Sequence, residues 1–291
     1  MSPNREPNVV RLALPKGRMF EQVVDLFKGA GIALQQSERG YRPTLSLPHF
    51  NTKILKPRNV IGMLNAGARD IGFAGADWIA ETNSELPELL DTGLNPVRLI
   101  VAAPHQILEN GKLPNRRLVI ASEYPELTRS WVRANGLDAE VLTTFGATEV
   151  FPPEDADCIV DNTATGSTLR ANGLDIIDEI MTSTTRIYAS REALANEAIK
   201  QQIDDFVMLL DAVLKARERV MMDLNVSQTD LSAVVKCLPS MRTPTVSPLS
   251  DSGWVAVRSA VPRRQLAEII PRLKAAGACD IVITSPEQLI P

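Results

Sequence analysis

Residues 161–174 read Asp-Asn-Thr-Ala-Thr-Gly-Ser-Thr-Leu-Arg-Ala-Asn-Gly-Leu and follow the apolar run Cys158-Ile159-Val160. An acid closes a strand, and Gly166 permits the sharp turn after it. Ser167 and Thr168 then offer hydroxyls and backbone N–H groups where a helix begins. Exposed N–H groups at a helix start favour an anion, as does the helix dipole. The small residues Ala164, Thr165, Gly166 and Ser167 let a phosphate approach the backbone. No Gly-Lys-Ser/Thr follows, so this is not a Walker P-loop. On spacing alone, a plain N-capped helix with Thr165 or Ser167 as the cap remains the competing reading.

A second joint, Leu14-Pro15-Lys16-Gly17-Arg18, places two cations at a helix start. That placement opposes the helix dipole, and an anion between Lys16 and Arg18 would account for it. A solvated basic pair is the bland alternative. Asp77 and Trp78 follow the glycine turn at Gly75, where a capping Asp and a packed Trp would suffice. Metal and nucleophile chemistry find little support. The three cysteines, Cys158, Cys237 and Cys279, are far apart, and the two histidines, His49 and His105, have no telling neighbours.

These joints need strands and helices to hold them, and the pattern supplies both. Short apolar runs at Val9–Leu14, Asp70–Gly75, Arg98–Ala103, Leu118–Ala121, Cys158–Val160 and Ile187–Ala189 alternate with amphipathic stretches, which is an α/β pattern. Phe20, Val23, Val24 and Phe27 mark the first helix, stopped by Gly29 and Gly31. A helix with Pro125 in its first turn follows Ser122-Glu123-Tyr124, and one long helix is expected from about Glu192 to Arg219. From Val220 onward the expected order is strand, helix, strand, strand, helix, strand, the ferredoxin-like βαββαβ plan.

The 291 residues are 44% hydrophobic and 23% charged, with a net charge of −4, an ordinary globular composition. No bulk basic field exists, so nucleic acid is not an expected partner. No apolar run reaches the ~18 residues of a membrane span, and Met1–Val10 carries no signal-type apolar segment. A cytoplasmic protein away from membranes is the expectation.

The order Asp161…Thr165-Gly166-Ser167-Thr168 is similar to the loop with which phosphoribosyltransferases hold a ribose 5-phosphate. The wider stretch Asp157–Leu174 resembles ATP phosphoribosyltransferase in particular. So do Leu12-Ala13-Leu14-Pro15-Lys16-Gly17-Arg18, Asp70–Trp78 and Gly146-Ala147-Thr148-Glu149-Val150. The pieces Leu238-Pro239, Pro244–Leu249, Trp254–Val257 and Gly277–Ile281 resemble the regulatory domain of that family's long form. The resemblance runs along nearly the whole chain. One departure is Asn162-Thr163, where the family often has an apolar pair.

The resemblance implies a two-lobed, periplasmic-binding-protein-like catalytic part, with lobe I at residues 1–104 and 183–216 and lobe II at 105–182. A ferredoxin-like regulatory domain would span 217–291. It implies transfer of the phosphoribosyl group of 5-phosphoribosyl 1-pyrophosphate to N1 of the ATP adenine, as the first step of histidine biosynthesis. Mg²⁺ would ride mainly on the substrate, with no side-chain ligand assigned. Asp161 and Glu149 would meet the ribose hydroxyls, although Glu149 by itself reads as a surface acid. Ala164, Thr165, Gly166, Ser167, Thr168 and Leu169 would hold the 5-phosphate. Lys16 and Arg18 would meet pyrophosphate or triphosphate. Arg18, Gly75, Asp77 and Tyr124, with Arg129 beside them, would contact the nucleotide, unless Tyr124 and Arg129 are plain helix surface. Histidine, as inhibitor, would meet Asp223, Asn225, Thr245, Ser247, Leu249 and Ala278, and the assembly would be a homo-hexamer. Two other classes compete. One is a phosphoribosyltransferase for another base, which usually has two adjacent acids before the loop. The other is a non-catalytic ligand sensor of binding-protein fold.

Overall fold

The computed structural model describes residues 8–36 and 40–290; Met1–Pro7, part of the segment read for a leader, lie outside the described residues. The chain divides into two compact units, one of residues 1–24 and 34–203, the other of residues 25–33 and 204–291.

The first unit holds β1 (Val10–Pro15), the start of α1 (Arg18–Gly29), the short pair β2 (Leu34–Gln35) and β3 (Thr44–Leu45), β4 (Phe50–Leu55), α2 (Pro57–Asn65), β5 (Ile71–Gly75) and α3 (Ala76–Glu81). The 17-residue β6 (Glu88–Pro104) follows, then β7 (Leu118–Ser122), α4 (Pro125–Ala134), β8 (Ala139–Thr143), β9 (Cys158–Thr163), α5 (Ser167–Ala171), the 16-residue β10 (Leu174–Ala189), α6 (Arg191–Leu194) and the start of α7 (Glu197–Glu218).

Eight strands form one sheet in the order β4-β1-β5-β10-β6-β9-β7-β8. β4, β1 and β5 are mutually parallel at one end, and β9, β7 and β8 at the other. The long antiparallel pair β6–β10 joins the two sets. This is the two-lobed arrangement expected.

Register shows which way each set points. Gly75, the last residue of β5, lies opposite Thr185, which lies opposite Leu94. Thr163, the last residue of β9, lies opposite Arg98, which lies opposite Thr182. The carboxyl ends of both parallel sets therefore run toward the same belt, residues 94–98 and 182–185. Loops at such strand ends are where ligands bind in open α/β sheets.

Core packing explains the unbroken apolar run of β6. Leu99, Val101 and Ala103 pack on one face with Ile120, Tyr124, Cys158 and Val160. Ile100 and Ala102 pack on the other with Ala121, Ile159, Leu169 and Leu174. A strand covered on both faces has no polar side to show.

Two expectations need correction. Arg98–Ala103 and Ile187–Ala189 are ends of much longer strands, whose outer parts are polar and bulged and carry no clean period. Residue 104, the expected end of lobe I, is the last residue of β6, whose residues 98–102 pair with β9. The long helix from Glu192 is two helices. Asn196 interrupts it, and the Asn196 carboxamide oxygen accepts from the Ile199 N–H as the second helix starts.

The second unit contains the rest of α1 and α7, then β11 (Arg219–Ser227), α8 (Leu231–Cys237), β12 (Thr245–Pro248), β13 (Trp254–Pro262), α9 (Leu266–Ala275) and β14 (Cys279–Thr284). Strand order β12-β13-β11-β14, all antiparallel, is the ferredoxin-like order. β11 and β13 alternate strictly between buried and open positions. Val220, Met222, Leu224, Val226, Val255, Val257 and Val261 form a core with Val234, Ile269 and Leu273 of the two helices.

Candidate active site

The loop after β9 is open, with Ala164, Thr165, Ser167 and Thr168 exposed. Gly166 takes a left-handed φ of 72° and stands at the N-cap of α5. A β-carbon there would lie 3.1 Å from Arg170 Nη1. The Thr163 hydroxyl accepts from the Gly166 N–H, and Arg170 donates to the Thr165 carbonyl, which fixes the turn. The first helical bond runs from Arg170 N–H to Gly166 O. The Thr168 and Leu169 N–H groups are therefore left without helical acceptors. The Leu169 side chain is a core anchor, 5% exposed, so only its backbone can face an anion.

Asp161 sits half-buried beneath this loop. Its carboxyl is pushed up to about 6, first by burial and then by the charges of Glu123 and Glu149; the Asn162 N–H and the Thr148 hydroxyl act the other way. The Asn162 N–H donates to Asp161 Oδ1 at 2.7 Å. Glu149 thus belongs with Asp161, carried by a turn with Ala147 left-handed and Thr148 buried against Thr144. Glu123 is a third acid that the motifs did not point to. Burial raises its carboxyl, and Lys56 and Arg58 oppose the shift. Those two cations follow β4 in Leu55-Lys56-Pro57-Arg58, which like Leu14-Pro15-Lys16-Gly17-Arg18 puts a proline and two bases at the end of a strand, and that likeness is the signal that could have found them.

Lys16 and Arg18 are exposed at the end of β1, in register with the end of β4. Lys16 Nζ donates to the Tyr41 hydroxyl at 3.2 Å and lies 5.3 Å from its ring centre. Arg18 makes no ion pair among the described residues.

The nucleotide group does not assemble as expected. Tyr124 is fully buried and Asp77 is 4% exposed. Tyr124 Oη donates to Asp77 Oδ2 at 2.6 Å, and Asn162 Nδ2 donates to Tyr124 Oη at 2.7 Å. Ser183 Oγ donates to Asp77 Oδ1 and accepts from the Asp77 N–H. Burial and the Asp77 charge push the Tyr124 phenol far up, so it keeps its proton. Gly75 is small for an internal reason: a β-carbon would lie 2.0 Å from Asp77 Oδ1. These three residues support the site from behind, and their polar atoms are already satisfied. Trp78 stacks on Tyr124 at 4.6 Å, with Arg58 above it. Glu81 accepts from the Glu126 and Leu127 N–H groups at the start of α4. Arg129 stays exposed, paired with Glu126 one helical turn away.

In the second unit, four of six expected effector residues share one sheet face. Thr245, Arg258 and Asp223 form one cross-strand row, and Ser247, Ala256 and Asn225 the next. Asp223 pairs with Arg258 at 2.6 Å, and Asn225 Nδ2 donates to Asp280. Ala278 is not on that face: it is 2% exposed in the core. Leu249 lies beyond β12, with its N–H bonded to the Trp254 carbonyl.

No group of three His, Cys, Asp or Glu side chains arranged to hold a metal occurs among the described residues. None of their helices is long and apolar enough to cross a membrane.

Comparison with known proteins agrees with this geometry. The family described as ATP phosphoribosyltransferase matches residues 56–212, and its C-terminal domain matches residues 216–287. A Pelotomaculum thermopropionicum protein named ATP phosphoribosyltransferase is 36% identical over 289 residues, covering 97% of this chain and 99% of its own. One from Chlorobaculum parvum is 33% identical over 276 residues, covering 93% and 94%. A chain of the Thermotoga maritima ATP phosphoribosyl transferase (HisG:HisZ) complex superposes with a TM-score of 0.63 at 26% identity, covering 71% of this chain and 99% of that one. With both family regions present in order and relatives matched almost end to end, the chain belongs to the ATP phosphoribosyltransferase family, in its long form with the C-terminal domain.

Proposed function

We propose that this enzyme transfers the phosphoribosyl group of 5-phosphoribosyl 1-pyrophosphate to N1 of the ATP adenine, with release of pyrophosphate. The observation that carries this reading is the convergence of strand ends. Joints from both ends of one sheet bring an open anion loop, an acid cluster and exposed cations to a single belt.

The reaction breaks the bond from ribose C1 to pyrophosphate and forms one to adenine N1. The leaving group is already good, so the protein needs no covalent nucleophile. It must orient two polyanions and balance charge as C1 becomes cationic. Asp161 and Glu149 accept from the ribose hydroxyls. The backbone of 165–169, with Thr165, Ser167 and Thr168 hydroxyls, holds the 5-phosphate. Lys16 and Arg18 meet pyrophosphate or triphosphate. Mg²⁺ would be held mainly by the donor's pyrophosphate and would offset leaving-group charge when bound with it, with no side-chain ligand assigned.

The ferredoxin-like unit is read as a histidine-binding regulatory domain, with Asp223, Asn225, Thr245 and Ser247 at the effector. A homo-hexamer in the cytoplasm completes the reading. ATP, phosphoribosyl pyrophosphate and Mg²⁺ are mixed with the enzyme and the absorbance of N1-alkylated adenine is followed. Product is expected; none at any enzyme level overturns the reading. Added histidine should lower the rate, and removal of residues from 217 onward should abolish that response.

A further inference from the structure

Asn162 has no role in the reading above. Its surroundings are unusually well defined. Tyr124 Oη has one proton, and that proton goes to Asp77. Residue 162 must therefore offer the phenol a donor, which settles the amide orientation: Nδ2 faces Tyr124 and Oδ1 faces away. The line continues through Asp77 to Ser183 on the central strand β10. At the same residue, the backbone N–H donates to Asp161 Oδ1. Successive side chains of a strand point to opposite faces. Consistent with that, Val160 packs with Tyr124, and Ile159 packs with Leu169 on the other side.

We propose that Asn162 is a positioning residue. The directed line Asn162–Tyr124–Asp77–Ser183 pins the end of β9 from one face so that the Asn162 N–H holds the Asp161 carboxylate on the other. That bond, together with the Thr148 hydroxyl, also lowers the Asp161 carboxyl against its burial. A side chain of the right size is not enough for this role; position 162 must donate.

The inference rests on Asp161 as the ribose acid, and the test separates the two. Asn162→Asp keeps size and shape but presents an acceptor to a phenol whose proton is taken. It should lower kcat about tenfold or more, with KM for ATP little changed. Asn162→Leu and Tyr124→Phe should each lower kcat, and the double variant should lose little more than the worse single one, because both cut the same line. Circular dichroism and thermal midpoints identify any variant that fails to fold, and Asn162→Leu serves as the well-packed alternative. Wild-type kcat in Asn162→Asp, or additive losses in the double variant, overturns the positioning role. Retained activity in Asp161→Asn overturns the ribose-acid reading instead.

Discussion

The joints after β5 and after β9 share a grammar: a strand, then a glycine at the N-cap of a helix. They are finished in opposite ways. Gly75 has an ordinary extended backbone, and the place of its missing side chain is filled by Asp77 and Ser183. Gly166 is left-handed, and the residues around it are open, with helix-start N–H groups unclaimed by the helix. The first joint uses its polar groups to hold the sheet's two ends. The second leaves them for a ligand. Likeness of sequence at a strand end thus says where a joint is, and the account of its hydrogen bonds says what it is for.

That contrast can be broken by substitution. Asp161→Asn should cost about 10²-fold or more in kcat/KM, measured with both substrates varied, while the thermal midpoint does not fall. Asp77→Ala should act first on stability, with a smaller loss of kcat through its line to Asn162. It strips acceptors from a buried phenol and a buried hydroxyl, and leaving such groups unpaired costs about 1–3 kcal/mol each, read by urea unfolding. Gly166→Ala should cost about 1–2 kcal/mol through its left-handed backbone, with a raised KM for phosphoribosyl pyrophosphate as the specific sign. A large drop in thermal midpoint with Asp161→Asn, or a pure KM effect with Asp77→Ala, would erase the distinction.

The smallest effect is in pH. A carboxyl raised to about 6 is protonated below that value. As a ribose-hydroxyl acceptor Asp161 must be ionised, so kcat/KM should fall as pH drops through about 6. Its effect on stability has the opposite sign. The folded state holds the proton more tightly than the unfolded chain, so Asp161 favours folding below the ordinary carboxylate range and loses that contribution as pH rises through about 6. Asp161→Asn should remove this slope from the unfolding free energy.

Much of this was legible in the residues. Apolar runs and turn glycines marked β1, β5, β7 and β9 and the order of elements in the second unit, while β4, α2 and β8 carried no such mark; the open loop at 163–168 was visible from its small residues and hydroxyls. The outer reaches of β6 and β10 were not, because Thr, Asp, Gly93 and Pro96 there obey no period; bulges set their conformation. Asp77 and Tyr124 read as ligand contacts because polar residues beside a glycine look the same whether they face a substrate or each other. Only the partner 47 residues away decides. Ala278 and Leu169 sat inside family-like stretches, and nothing local marks a small or apolar residue as core rather than contact.

The belt itself has a mechanical consequence. Between Ser183 and Thr185 the β6–β10 ladder skips, and side chains do the fastening: Thr92 Oγ1 donates to the Thr185 carbonyl, Asn95 Nδ2 to the Thr185 hydroxyl, and Thr184 Oγ1 to Asp91. A register shift disrupts the ladder locally and leaves backbone groups there without their regular partners. The compliant zone lies where both sets of loops meet, so a small flexure there changes the spacing of Lys16 and Asp161 without disturbing either core. Amide hydrogens of residues 92–97 and 182–186 should exchange with solvent faster than those of residues 99–103, and a bound pair of substrates should slow them.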